Sequence, residues 1–92
     1  MAKKLTNQPV NPFHPGEVLL EEFLVPRNVT QTEFAERLGW TRARLNELIK
    51  GKRGISAEAA LDLAEELGTS PRLWMNLQAT FDLAVAEKRR AA

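Results

Sequence analysis

Arg42, Arg44 and Asn46 fall within five residues, RARLN, and each side chain can make two hydrogen bonds at once. A guanidinium matches O6 and N7 of guanine, and a carboxamide matches N6 and N7 of adenine. Each such pair contributes ~1–3 kcal/mol of discrimination between bases. Ala43, between the two arginines, is small enough to press on a thymine methyl. Gln31, Thr41, Lys50, Lys52 and Arg53 fall at predicted helix ends or in the loop GKR, where phosphates are met. The chemistry these residue types fit is recognition of duplex DNA. Arg42, Ala43, Arg44 and Asn46 would read base edges, and the other five would hold the backbone. A merely solvated charged face would share this composition, so the elements that position these residues decide between the two.

Those elements are two short helices and a tight turn, TQTEFAERLGWTRARLNELIKGKR, residues 30–53. Thr30 is an N-cap, with Glu33 where a capping-box partner belongs. Phe34, Ala35 and Leu38 share one face, and Gly39 sits where a left-handed residue must end the helix. Thr41 caps the next helix, whose inner face is Leu45, Leu48 and Ile49, and Gly51 ends it. Ala35 is small because the second helix crosses it closely, and Trp40 and Leu45 plug the angle between the helices. This is the spacing of a helix-turn-helix, with the second helix free to enter a major groove.

Charge supports that orientation. The net charge is only +1, but it is unevenly spread. Residues 42–53 hold five cations and one carboxylate, leaving +4, whereas residues 55–87 hold one cation and six carboxylates, leaving −5. Such a chain would turn its basic segment toward a polyanion and keep an acidic surface for a basic protein partner.

The rest of the chain reads as all-α and as one domain. Residues 1–12, polar and carrying Pro9 and Pro12, are predicted to be a flexible arm, residues 13–88 the folded domain and residues 89–92 a frayed tail. Phe13 is expected to dock as a staple ahead of a first helix, opened by His14, Pro15 and Gly16 and stopped near Leu24 by Pro26. Ser56 caps a fourth helix to Leu67, with Ala60, Leu61, Ala64 and Leu67 inward, Leu63 at the edge and Asp62 outward. A fifth helix, capped by Thr69 or Ser70, runs from Pro71 to about Lys88. Its early residues Trp74 and Leu77 close the core. Its later residues Phe81, Leu83 and Val85 either fold back on the first helix or pack on a second copy. The homodimer is the expectation, because one helix-turn-helix reads few bases.

Nothing in the sequence supports an enzyme. His14 is the only histidine, and no oriented partner or pocket accompanies it. The pairs Glu21–Glu22 and Glu65–Glu66 diverge by about 100° around a helix, so neither makes a site. There is no cysteine, no metal-ligand cluster and no glycine-rich phosphate loop, so no cofactor, metal or small-molecule ligand is expected. Without an apolar run near ~18 residues or a secretory signal, a cytoplasmic protein without membrane contact is expected.

HPGEVLLEEFL at 14–24, RLNELIKGKRGIS at 44–56, AALDLAEELGTSP at 59–71 and LWMNLQATFDLA at 73–84 together resemble the HigA-type antitoxins of the lambda-repressor-like (XRE) helix-turn-helix class. The resemblance covers about residues 13–84. It implies a five-helix bundle and a homodimer on a palindromic operator. It also implies repression of the protein's own operon and neutralisation of a HigB-type toxin, a ribosome-dependent mRNA interferase. Carried onto this chain, it places the base readers at Arg42, Ala43, Arg44 and Asn46. It makes WMNLQ at 74–78 structural, with Gln78 near a helix end or an interface. Toxin docking is not fixed by these motifs; charge points to the N-terminal arm and the acidic faces of the first and fourth helices. Two alternatives differ from this reading. One is a stand-alone regulator without a toxin. The other is an interaction module that has lost DNA binding, favoured only by Glu47 on the reading face.

Overall fold

A computed structural model describes residues 13–91. The arm expected over residues 1–12 lies outside them, as does Ala92. Five helices follow in order: α1, Pro15–Val18, continued by a π-helical segment, Leu19–Leu24; α2, Gln31–Leu38; α3, Arg42–Ile49; α4, Ala57–Leu67; and α5, Pro71–Ala91. No strand occurs among the described residues.

Local capping sets most of these boundaries. Thr30 and Glu33 form the full capping box, each side chain bonded to the other's backbone. Thr41 and Ser56 each accept from the amide three residues on. Gly39 closes α2 at φ 74°, in the region where a side chain would be penalised. Ser70 caps α5 through the Leu73 amide, while the Thr69 hydroxyl accepts from the Trp74 indole.

The first helix differs from a plain α-helix. Past Val18 its bonds shift to five-residue spacing, as between the Val25 amide and the Leu20 carbonyl. Residues five apart then stack, which brings Leu19 and Leu24 into the core together. Pro26 is not the stop by itself. Val25 is still helical, and Asn28, at φ 60°, turns the chain into α2.

The core is built around Leu19, Leu24, Phe34, Leu45, Leu48, Leu63 and Trp74. The inner face of α4 is Ala59, Ala60, Leu63 and Ala64; Ala60 and Ala64 are inward as expected and Leu67 packs against the core, but Leu63 takes the place predicted for Leu61. Leu63 is fully buried and Leu61 is 57% exposed. The small alanines let neighbouring helices approach, and that closeness outweighs burial of one more leucine. α5 continues to Ala91, so residues 89–91, expected to be frayed, are helical.

Candidate nucleic-acid interface

α3 is held from behind by two contacts. Leu45 and Leu48 are buried, with 1% or less of their surface exposed. On the same side the N-terminus of α1 lies against the end of α3. A Cβ built on Gly16 would stand 1.8 Å from the Leu48 carbonyl oxygen. Only glycine permits that approach, so the Pro15–Gly16 step wedges α3 outward. The His14 Nδ1 atom accepts from the Gly16 amide at 2.9 Å and fixes this step.

Arg42, Ala43 and Lys50 therefore face solvent, as do Thr41, Lys52 and Arg53. The Thr41 oxygen is taken up by the Arg44 amide, 3.1 Å away. Several of the predicted residues, exposed Arg53 among them, are already engaged within the chain. Arg44 is half-buried, its guanidinium 3.8 Å above the Trp40 ring. Asn46 is also half-buried and donates from Nδ2 to Gln31 Oε1 at 3.2 Å. Arg53 donates to Glu47 Oε1 from Nε and Nη2, at 3.0 and 2.8 Å. Glu47, expected to repel phosphate, thus has its charge countered by a neighbour.

Two of the partners that follow were not anticipated, and the third is the fold-back of Phe81 on the start of the first helix. Trp40 is 8% exposed, and its indole donates to Asp62 Oδ2 at 2.9 Å, so Asp62, half-buried, faces the turn between α2 and α3 rather than open solvent. The signal was available in part, because a buried indole N–H needs an acceptor. Gln78 reaches back from α5, its Oε1 accepting from the Ile55 amide at 2.6 Å. His14 packs edge-on against Phe81, ring centroids 4.9 Å apart. Phe81 is accordingly half-buried inside its own chain, whereas Leu83 and Val85 stay 63% and 37% exposed.

Burial pushes the His14 imidazole below its usual range, opposed by the Asp82 carboxylate and the Arg53 backbone carbonyl. Hydrogen bonds from Thr30 hold the Glu33 carboxyl below the ordinary carboxylate range. Among the described residues, no group of three or more His, Asp or Glu side chains is placed to hold a metal ion. No described helix is long and apolar enough to cross a membrane.

The presented helix and its buried seam define a helix-turn-helix protein. The family described as Helix-turn-helix matches residues 20–74. Virulence-associated protein I of Dichelobacter nodosus is 39% identical over 76 residues, covering 83% of this chain and 70% of that protein. Antitoxin HigA-1 of Vibrio cholerae is 39% identical over 72 residues, covering 78% and 68%. The solved structure of Pseudomonas aeruginosa antitoxin HigA with the higBA promoter superposes with a TM-score of 0.84 at 36% identity, over 88% of each chain. The chain belongs to the lambda-repressor-like (XRE) class of DNA-binding helix-turn-helix proteins, among the HigA-type antitoxins and regulators.

Proposed function

We propose that this protein is the antitoxin and autorepressor of a type II toxin–antitoxin operon. In this reading a homodimer binds a palindromic operator with α3 in the major groove, and the same protein neutralises a HigB-type mRNA interferase. The antitoxin itself is not an enzyme and acts in the cytoplasm. The supporting observation is the outward presentation of Arg42 and Ala43 by a buried Leu45–Leu48 seam.

The side-chain geometry suits distinct roles. Arg42 is open for guanine, and Ala43 for a thymine methyl. The stack on Trp40 limits the orientations of Arg44 before DNA arrives, which reduces the ordering cost of reading a base. Asn46 gives one amide hydrogen to Gln31, leaving its second N–H and its oxygen for the adenine edge. Gln31, Thr41, Lys50, Lys52 and Arg53 then meet phosphates on either side. Leu83 and Val85, exposed on different sides of α5, offer apolar surface for the second copy. The toxin would meet acidic faces, including Glu17 and Glu21 near the start of the fold and Glu58, Glu65 and Glu66 on α4.

Purification from cells carrying the native operon, followed by footprinting, tests both halves. A small basic protein should co-purify, and the footprint upstream of the operon should show two half-sites about 34 Å apart, one helical turn. A footprint without a co-purifying protein would assign a stand-alone regulator instead.

A further inference from the structure

The basic loop after α3 is held by residues outside the helix-turn-helix. Its first residue, Gly51, lies beside the His14 ring, so that a Cβ there would be 3.7 Å from the imidazole. The same imidazole caps α1 through Gly16, faces the Arg53 backbone carbonyl and packs against Phe81 of α5. At the other end of the loop, a Cβ on Gly54 would stand 3.0 Å from Gln78 Oε1. That oxygen accepts from the Ile55 amide, and Gln78 Nε2 donates to Asp82 at 2.9 Å. Gln78, Phe81 and Asp82 lie within four residues of α5, on one side of that helix. Lys52 and Arg53 are thus carried on a backbone bracketed from behind, by His14 at one end and Gln78 at the other.

We infer that His14 and Gln78 are positioning residues for DNA binding, and that they set the loop 51–55 so that Lys52 and Arg53 meet the phosphate backbone. Neither side chain need touch DNA. His14 links the loop to α1 and α5, and Gln78 links it to α5 alone. Fixing the loop in advance removes an ordering cost that two loose cationic side chains would otherwise impose on binding. The inference rests on the DNA-binding reading above.

The test compares two variants that keep each side chain's other duties. His14→Asn retains an acceptor for the Gly16 amide but cannot reach Arg53 or Phe81. Gln78→Met retains bulk and removes both hydrogen bonds. Operator affinity is titrated against salt under conditions where circular dichroism shows every variant folded. Amide exchange is followed at Lys52–Ile55.

Each variant should speed exchange in the loop and flatten the slope of log K against log salt by about one phosphate contact per protomer. The preference for operator over scrambled DNA should stay unchanged. In a Lys52→Ala background the effect on the slope should shrink, because both changes act on the same contact. Wild-type slopes and affinities in both folded variants would overturn the inference while leaving DNA binding intact. A wild-type protein that does not bind DNA would overturn the underlying reading and this inference with it.

Discussion

In α3 the apolar side chains Leu45 and Leu48 are almost wholly covered, and the outside is left to Arg42, Ala43 and Lys50. In α5 only Trp74 is fully buried, while Leu73, Met75, Leu83 and Val85 are 37–63% exposed. One helix has satisfied its hydrophobic face inside the chain and offers charge and amides to the surroundings. The other still carries apolar surface that its own chain does not cover. The difference separates two kinds of recognition. α3 is suited to a polyanion, where electrostatics and hydrogen bonds supply the affinity, and the end of α5 to another protein surface, where burial does.

The largest effect should come from disturbing what pushes α3 outward. Gly16→Ala puts a methyl into the Leu48 carbonyl and forces the N-terminus of α1 away from α3. The expected loss is about 3 kcal/mol of stability, at the upper end for overpacking, read by urea denaturation. Leu83→Asp should act on the other side of the comparison. It should leave the fold unchanged, since the side chain is 63% exposed, and dissociate the proposed dimer in sedimentation at micromolar concentration. Retention of the dimer would place the interface elsewhere.

Trp40→Phe is expected to be milder. It removes the indole bond to Asp62 and should cost about 1 kcal/mol in thermal melts, the worth of one partly exposed hydrogen bond. It should also broaden the sequence preference, because Arg44 loses the larger ring it lies on.

The smallest effect concerns pH. The folded state favours neutral His14, so its contribution is complete above the ordinary value of 6.5. As pH falls below that value toward the lower folded one, the unfolded chain takes up the proton first and stability declines. Asp82 and the Arg53 carbonyl favour the charged ring and limit the decline. Denaturation midpoints between about pH 8 and about pH 5 should show a shallow fall that His14→Asn abolishes.

What could be read from the sequence was local. Thr30 with Glu33, Thr41, Gly39 and Ser56 each act within a few residues, and each has its expected part in the fold. The bonds Trp40–Asp62 and Gln78–Ile55 span 22 and 23 residues, so they depend on how the helices cross and leave no local periodic trace. α4 was ambiguous for a related reason. AALDLAEEL supports two overlapping stripes, and the choice of Leu63 over Leu61 is made by neighbouring helices that need the small face of Ala59, Ala60 and Ala64. The engagement of Arg44, Asn46 and Arg53 within the chain was hidden too, since a helical projection assigns a direction but not a partner.

Arg42 stands exposed on α3, on the face proposed to read duplex DNA. Competition titration of wild type and Arg42→Ala, on operator and on scrambled DNA of equal length, tests that role directly. The substitution should lower the preference for operator by ~1–3 kcal/mol while binding to scrambled DNA changes little. An unaltered preference in a folded variant would contradict it.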